Sequence, residues 1–196
     1  LLVRDKGIRG AVVFTGRLHR MERKGNLLTV ASGVPTAAAA RKALEYGLSG
    51  MEFASGIPGS IGGAAYMNAG AYGGEMAKII VSATTCDAKG DIIVHSIKDM
   101  GYGYRHSPFM QNGEVILDIT LSLKPGNQKD IEALMKDLNQ RRATKQPLEK
   151  RSAGSTFKRP DGHFVGQMLE ELGLKGFSVG DAQVSEKHPG FLINNG

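Results

Sequence analysis

The glycine-rich stretch at residues 51–74, MEFASGIPGSIGGAAYMNAGAYGG, constrains the fold more than any other part of the chain. Seven glycines lie within it, and Gly50 comes directly before it. Because glycine has no Cβ, such a run exposes backbone N–H groups and lets a ligand approach the main chain closely. Diphosphates bind to surfaces of this kind, particularly where a helix begins directly afterwards. The stretch therefore predicts a phosphate-binding loop, and an ordinary glycine-rich turn is the alternative.

Two common phosphate-binding motifs are excluded. No G-x-G-x-x-G follows an apolar strand with an acidic residue at the distance that closes a βαβ unit, so the stretch is not a Rossmann fingerprint. No Gly-Lys-Ser or Gly-Lys-Thr occurs, so it is not a P-loop.

Composition narrows the choice of partners. The chain has 196 residues, of which 41% are hydrophobic and 22% charged, a composition that predicts packed domains rather than disorder. Its net charge is +6. A basic cluster lies between Arg141 and Arg159, and nucleic acid is one interpretation of it. Aromatic residues make up only 6% and tryptophan is absent, so a base-stacking platform is poorly supported, whereas a small anionic ligand fits the charge.

Other classes of protein are disfavoured. The single cysteine, Cys86, excludes a disulfide framework within the chain and a multi-cysteine zinc site. The five histidines have no metal-ligand spacing, so we predict no metal site. No apolar run is long enough to span a membrane, and the first residues do not form a signal peptide, so we predict a cytoplasmic protein with no membrane partner.

The periodicity predicts an α+β fold in two domains. Apolar and β-branched runs predict strands at 11–15, 27–31, 79–86, 91–96 and 115–123. Helices are expected at 37–46, with Thr36 as the N-cap, and at 61–67. Composition changes at Pro125, and beyond it we predict helices at 128–143 and 164–172, strands near 176–180 and 190–194, and a non-helical stretch at 144–162. The predicted domains are residues 1–124 and 125–196.

Two residues outside the glycine-rich stretch are candidates for chemistry. Ser155, in SAGSTFKRP, lies among small residues and cations, where it is suited to bind an anion or donate a proton; a turn serine is the alternative. Arg105, in YGYRHSPF, is suited to hold a carboxylate bidentately, and an arginine stacked on Tyr104 is the alternative. The polar run Glu186-Lys187-His188 is typical of a solvated turn.

Taken together, five ordered segments resemble one family. GMEFASGIPGSIGGAAYMNAGAYGGE, YGYRHSPF, RRATKQPLE, SAGSTFKRP and GLKGFSVGDAQVSEKHPGFLIN follow the pattern of UDP-N-acetylenolpyruvoylglucosamine reductases, in the subclass without a tyrosine-bearing loop. The resemblance runs through nearly the whole chain. It implies an FAD-binding domain of the vanillyl-alcohol-oxidase-like type and a smaller α+β substrate-binding domain.

The resemblance also implies the site residues. The residues expected to line the FAD are Gly56, Ile57, Pro58, Gly59, Ser60, Gly62, Gly63, Asn68, Gly70, Ala71 and Tyr72, with backbone amides on its diphosphate. Arg105 matches the arginine that holds the substrate carboxylate, and Ser155 the serine that protonates the enolpyruvyl carbon. Residues Lys145, Lys158 and Arg159 lie where the family approaches the UDP-sugar.

The activity implied is the reduction of UDP-N-acetylglucosamine enolpyruvate to UDP-N-acetylmuramate, a step of peptidoglycan precursor synthesis. NADPH gives a hydride to the flavin, and the reduced flavin gives it to the enolpyruvyl double bond. Covalent attachment of FAD is not expected, because residues 56–72 contain no histidine or cysteine.

The chain departs from the family pattern in three places. It opens on LLVRD without a methionine and closes on FLINNG, so we expect it to be truncated at both ends. A catalytic glutamate is expected beyond Gly196, and Arg151 occupies a position where the family pattern has proline. Another FAD-linked oxidoreductase of the same fold and a non-catalytic nucleotide-binding fragment therefore stay open as alternatives.

Overall fold

A computed structural model describes residues 3–196, apart from the side chain of Asp99. Two compact units are present. The larger comprises Val13–Asn139, and the smaller combines the residues up to Val12 with Gln140–Gly196. The domain boundary at 124–125 that composition suggests stays a prediction, because these units are defined by compactness alone.

The larger unit contains most of the regular structure. Its elements are, in chain order, β1 (Met21–Lys24), β2 (Leu27–Ala31), α1 (Thr36–Glu45), β3 (Leu48–Ser49), α2 (Ile61–Tyr66), β4 (Gly70–Ala71), β5 (Gly74–Glu75), β6 (Ile80–Cys86), β7 (Ile92–Ser96), α3 (Phe109–Asn112), β8 (Val115–Ser122), β9 (Lys124–Pro125) and α4 (Gln128–Lys145), the last of which continues beyond residue 139. Single 3₁₀ turns lie at Thr15–Arg17, Glu52–Ala54, Met76–Lys78 and Ile97–Asp99.

A five-stranded antiparallel sheet with the order β1-β2-β8-β6-β7 organises this unit. Its strands alternate between a buried and a half-exposed face, as the period of a strand requires. Leu28 and Val30 are fully buried, whereas Thr29 between them places its Oγ1 3.0 Å from Oγ1 of Thr120 on the opposite face. The predicted strands at 27–31, 79–86, 91–96 and 115–123 are confirmed within one or two residues.

Helix α1 packs closely because its inward side is alanine. Ala39, Ala40 and Ala43 are completely buried. The helix begins one residue earlier than predicted, with Pro35 at the cap position. Thr36 is therefore its first residue rather than its N-cap, and both its N–H and its hydroxyl donate to the carbonyl of Gly59, at 2.9 and 3.1 Å.

The smaller unit is built on a second antiparallel sheet. Its elements are, in chain order, β10 (Arg151–Ser155), α5 (Val165–Glu171), β11 (Ser178–Val179), β12 (Ala182–Val184) and β13 (Phe191–Asn194). The strand order is β10-β13-β12-β11. Phe191 and Ile193 of β13 and Val184 of β12 supply its buried apolar side chains. With both units built from helices and antiparallel strands, the predicted α+β class is confirmed.

One strand prediction in the irregular regions is wrong. The strand expected at 11–15 is absent, and Val12, Val13 and Phe14 are exposed. A strand needs a partner for its backbone N–H and C=O groups, and none of the described strands pairs with these residues. The stretch predicted to be non-helical at 144–162 is non-helical from residue 146 onwards, and it contains β10, which the sequence did not indicate.

Asn68 joins the glycine-rich stretch to the loop that carries Arg105. Its side chain is only 2% exposed. The amide nitrogen donates to the carbonyl of Gly103 at 2.9 Å and to the carboxylate of Glu75 at 3.4 Å, and the amide oxygen accepts from the N–H of Ala77 at 2.9 Å. Its backbone has φ +42°, a region that asparagine tolerates better than most residues. The carboxamide thus bonds to two separate chain segments, residues 75–77 and the loop at Gly103.

Replacing Asn68 should test this junction. We expect Asn68→Ala to lower the free energy of unfolding by about 2–4 kcal/mol, because three hydrogen bonds are lost and buried partners stay unpaired. Asn68→Asp should cost at least as much, since a carboxylate oxygen would then face the Gly103 carbonyl and the Glu75 carboxylate. Urea unfolding measures both. Asn26→Ala, an exposed position in the β1–β2 turn, is the control and should change stability by less than about 0.5 kcal/mol; equal losses at the two asparagines would contradict the junction.

Tyr102 is a second buried polar group near that loop. Its side chain packs against the core, and its hydroxyl has no hydrogen-bond partner among the described residues. Burial raises the pKa of Tyr102 to about 12, from an ordinary value of 10.0. The folded protein therefore keeps this proton at alkaline pH values where the unfolded chain releases it.

Tyr102 should make the fold sensitive to alkali. Its proton is bound in both states below pH 10, and above that pH the unfolded chain ionises first, so stability falls as pH rises from 10.0 to about 12. The loss is on the order of 2 kcal/mol. Tyr102→Phe removes both the ionisation and an unpaired buried hydroxyl, so it should lose less stability over that range and be at least as stable at pH 7. Unfolding curves at pH 7, 10 and 11.5 decide this, and parallel losses in the two proteins would refute it.

Candidate active site

The N-terminus of α2 is held to the end of β2 by its own backbone. The N–H groups of Ile61 and Gly62 donate to the carbonyls of Val34 and Ser32, at 2.8 and 2.9 Å. Ser60 caps the helix, with its hydroxyl accepting from the N–H of Gly63 at 3.2 Å. These three amides are therefore engaged within the protein.

Gly62 is required for close packing. A Cβ at this position would lie 2.6 Å from Cβ of Ser32, so any side chain would force α2 away from β2. The role of Gly62 is thus to let α2 pack closely against Ser32, which holds the loop before α2 in place.

The loop before α2 has a different character. The N–H groups of Gly56, Gly59 and Ser60 have no acceptor in the part of the chain that the structure describes. Gly59 has φ +97° and open space where a Cβ would stand, while its carbonyl is fixed by Thr36. The loop is thus anchored through its carbonyl and keeps its donors available, which is the arrangement that an anion requires.

A cleft of about 290 Å³ lies beside this loop. It is lined by Thr15, Ser32, Ser60, Gly62, Gly63, Tyr66 and residues 114–116. The hydroxyl of Ser32 is buried and has no hydrogen-bond partner among the described residues, which is the state of a group that meets a polar ligand. One carboxylate oxygen of Glu114 is already bonded to His95, at 2.6 Å, and to Thr85, at 2.5 Å.

The second part of the glycine-rich stretch is the tight β4–β5 hairpin. Gly70 and Gly74 are needed here, because a Cβ on Gly70 would meet the carbonyl of Gly74 at 2.6 Å and one on Gly74 would overlap the ring of Phe53. Ala71 pairs with Gly74, and Tyr72 at the tip has φ +53° and is about half exposed. The hairpin therefore presents an aromatic ring on a backbone with little freedom to move.

Arg105 docks on this hairpin. Its two terminal nitrogens donate to the carbonyls of Asn68, at 3.2 Å, and Gly70, at 3.1 Å. Its Cζ lies 5.1 Å from the ring centroid of Tyr104, and its backbone has φ +52°, an unusual value that the two carbonyl contacts fix in place. The structure thus brings Arg105 together with Asn68 and Gly70, a contact between two motifs that nothing in their spacing indicated.

In the smaller unit, Ser155 is the last residue of β10 and is exposed. It lies opposite Phe191 of β13, at the end of a bulge that begins at Ser152. A cleft of about 710 Å³ runs along this edge and is lined by residues 151–156, Ala182, Leu192, Ile193 and Asn194. The serine hydroxyl is therefore accessible to a ligand.

The three basic residues expected near a UDP-sugar also lie in this unit. Lys145 is the last residue of α4, and Lys158 and Arg159 follow β10; all three are exposed. The guanidinium of Arg159 lies over the ring of Phe164, with Cζ 5.6 Å from its centroid.

His188 is the residue that sequence reasoning missed. It belongs to a run that predicted a solvated turn, yet its ring lies next to Gly190, which is also a neighbour of the Ser155 hydroxyl. Only the order SAGS followed by SEKHPG carried a signal of this proximity: SAGS lies on β10, and SEKHPG is the loop that leads into β13, the partner strand of β10.

Searches of the described residues for two other features found neither. No three His, Cys, Asp or Glu side chains among them cluster as a metal site would require. None of the described helices has both the length and the apolar character needed to cross a bilayer.

Comparisons with known proteins agree with this geometry. Residues 2–96 match the family model described as "FAD binding domain". Residues 146–196 match the model of the C-terminal domain of UDP-N-acetylenolpyruvoylglucosamine reductase.

Individual relatives extend the likeness over the whole chain. The UDP-N-acetylenolpyruvoylglucosamine reductase of Clostridium kluyveri is 52% identical over 196 residues, which are 100% of this chain and 64% of that protein. The Limosilactobacillus fermentum reductase is 47% identical over 99% of this chain and 65% of its own length. The crystal structure of the Thermus caldophilus reductase superposes with a TM-score of 0.81 at 35% identity, over 92% of this chain and 65% of that one.

The chain thus spans about two thirds or slightly less of the relatives that it matches, and the match includes both the glycine-rich stretch and the strand that carries Ser155. The fold class predicted from the resemblance, an FAD-binding domain with a smaller α+β domain, is confirmed. On this evidence the chain belongs to the UDP-N-acetylenolpyruvoylglucosamine reductase family.

Proposed function

We propose that the whole protein reduces UDP-N-acetylglucosamine enolpyruvate to UDP-N-acetylmuramate in the cytoplasm, with FAD as its noncovalent cofactor and NADPH as its reductant. The observation that carries the proposal is the docking of Arg105 on the carbonyls of Asn68 and Gly70. It joins the proposed substrate clamp to the hairpin that we assign to the cofactor, within one unit. The match of residues 146–196 favours this reductase over another oxidoreductase of the same fold.

The residues present fit a dinucleotide. The amides of Gly56, Gly59 and Ser60 are the donors that we assign to the diphosphate, because they have no acceptor among the described residues. The unpaired hydroxyl of Ser32 lies in the adjoining cleft. Ile57 and Pro58 complete the loop, and Gly63 lines the cleft from the first turn of α2. Gly70, Ala71 and Tyr72 supply the hairpin that we assign to the flavin end. When bound, FAD supplies the hydride that it receives from NADPH.

Arg105 has the donors needed for a second partner. A guanidinium carries five N–H groups, and the two carbonyl contacts use two of them. The remaining N–H groups and the full positive charge are available for the substrate carboxylate. As the enolpyruvyl double bond is reduced, negative charge develops next to that carboxylate, so a fixed cation there stabilises the transition state.

Ser155 is the group that we assign to proton delivery. Its Oγ–H gives a proton to the carbon next to the one that receives the hydride, which completes the saturation of the double bond. An alcohol is a weak acid and gives up its proton slowly. The transfer therefore requires the Ser155 hydroxyl to be held close to the carbon that receives the proton. We assign Lys145, Lys158 and Arg159 to the phosphates of the UDP-sugar, because all three are exposed cations of the same unit.

The loop amides can be tested with two glycines of nearly identical backbone. Gly59 has φ +97° and Gly90 has φ +93°, and a Cβ would meet nothing within 4 Å at either. Each change to alanine imposes a similar strain, roughly 1–2 kcal/mol. We expect Gly59→Ala to weaken FAD binding at least tenfold, because strain at this position moves the donors of Gly59 and Ser60.

Gly90→Ala, in the β6–β7 turn, should retain FAD fully. Flavin absorbance after gel filtration and a fluorescence titration with FAD measure retention and affinity. Absence of flavin binding in the unmodified whole protein would refute the proposed function, and equal effects of the two alanines would refute the role of the loop.

The proton donor and the clamp can be separated from cofactor reduction. Ser155→Ala in the whole protein should slow the step with the enolpyruvyl substrate by about 10²–10⁴-fold, the usual contribution of general acid catalysis. Arg105→Lys should slow the same step, because a point charge does not replace the planar fork. Stopped-flow absorbance at the flavin bands distinguishes the NADPH phase, which Ser155→Ala should leave unchanged, from the substrate phase. An unchanged substrate phase in Ser155→Ala would exclude the serine from the mechanism.

A further inference from the structure

The loop at residues 185–190 holds the end of the strand that carries Ser155. The N–H of Thr156 donates to the carbonyl of Gly190 at 2.9 Å, directly after Ser155 pairs with Phe191. The same loop is closed by the buried hydroxyl of Ser185, which accepts from the N–H groups of Lys187 and His188, at 3.2 Å each. The backbone around Ser155 therefore depends on the geometry of this loop.

Gly190 lies between a histidine ring and the Ser155 hydroxyl. A Cβ at Gly190 would stand 3.1 and 3.2 Å from Cε1 and Nδ1 of His188 and 3.6 Å from Oγ of Ser155. Gly190 is buried, and its φ is not in the left-handed region, so the absence of a side chain here is a matter of space. The imidazole and the hydroxyl thus share one small volume around a single Cα.

The His188 ring is fixed on two sides. Its Nδ1 accepts from the N–H of Gly190 at 3.2 Å, and it packs against the Phe191 ring in a T-shaped arrangement, with centroids 4.9 Å apart. A ring nitrogen accepts a hydrogen bond only when it carries no proton, so this contact requires the neutral tautomer with the proton on Nε2. His188 acts here as an acceptor that sets the position of Gly190.

We propose that His188 is a positioning residue for Ser155. By accepting the Gly190 amide, its Nδ1 fixes the start of β13, and the bond from Thr156 to Gly190 transmits that position to the serine hydroxyl at the edge of the 710 Å³ cleft. The inference rests on the proposed role of Ser155 as proton donor. A shift of about 1 Å in a reacting group costs up to about 10²-fold in rate, so loss of this contact should be visible in kinetics.

Three substitutions at His188 in the whole protein separate positioning from other roles. In asparagine, Oδ1 stands near the place of Nδ1 and can accept the Gly190 amide; in glutamine the carbonyl stands near Nε2; in alanine the acceptor is lost. We expect His188→Ala to slow the substrate phase by about 10–100-fold with little change in substrate KM or in the NADPH phase. His188→Asn should recover most of that loss, and His188→Gln should not.

A double substitution tests whether the histidine acts through the serine. In a Ser155→Ala background, His188→Ala should have no further effect on the substrate phase, because the group that it positions is absent. Multiplying effects would mean that His188 acts independently.

Gly190 offers a matched pair that leaves the histidine in place. Gly190→Ala should slow the substrate phase, since its Cβ would crowd the His188 ring, at 3.1 and 3.2 Å from Cε1 and Nδ1. Gly166→Ala, on α5 of the same unit, has open space around its Cβ and no positive φ, so it should leave the rate unchanged.

Nuclear magnetic resonance of the 196-residue chain gives a readout besides activity. The ¹⁵N shifts of His188 should show the proton on Nε2, and the Gly190 amide resonance should move in His188→Ala and return in His188→Asn.

Failure of the unmodified protein to reduce the enolpyruvyl substrate would overturn the proposed function. With that activity present, rescue by glutamine instead of asparagine, a normal rate in His188→Ala, or an Nδ1–H tautomer would overturn the positioning role. If His188→Ala does not fold, the comparison of asparagine with glutamine decides.

Discussion

The buried carboxamide of Asn68 is the interaction on which the larger unit's candidate site depends. It donates to the loop at Gly103 and accepts from Ala77 after the β4–β5 hairpin, while the backbone carbonyl of Asn68 accepts from Arg105. A buried amide with all its partners in place is stable, and one without them is costly. The same residue therefore fixes the hairpin, the loop that carries Arg105 and the direction in which the guanidinium points.

The glycines of residues 51–74 divide into two physical classes, although the sequence presents them as one run. Gly62, Gly70 and Gly74 are needed because another backbone or side chain occupies the place of a Cβ. Gly59 and Gly73 have positive φ and open space around them. The first class builds a rigid frame of α2 and the hairpin. The second class, on that frame, gives the loop backbone a conformation that other residues adopt only with strain, and near Gly59 it leaves N–H donors unpaired.

The sequence predicted the elements whose signal is local. Strands β2, β6 and β8 are runs of β-branched and apolar residues, and α2 begins at a serine that caps it. It did not predict β10, because RSAGS has no apolar alternation and becomes a strand only through its ladder with β13. The strand predicted at 11–15 is the reverse case: its residues favour a strand locally, but no described strand pairs with them. The hydrogen bonds from Arg105 to the carbonyls of Asn68 and Gly70 join a side chain to backbone more than thirty residues away. Composition and motif spacing do not predict contacts of this kind.

Both units use the same means to place the side chain that we assign to chemistry. In the larger unit a buried asparagine orders two loops, and the exposed edge of Arg105 follows from that order. In the smaller unit the buried hydroxyl of Ser185 and the Nδ1 of His188 order one loop, and the position of Ser155 follows from its hydrogen bond to Gly190. In each case the side chain assigned to chemistry is partly or fully exposed. An exposed side chain can rotate, and this freedom must be lost when the side chain takes up the reactive geometry. Backbone hydrogen bonds to buried polar side chains remove part of that freedom during folding, so less of the entropy cost falls on the reaction.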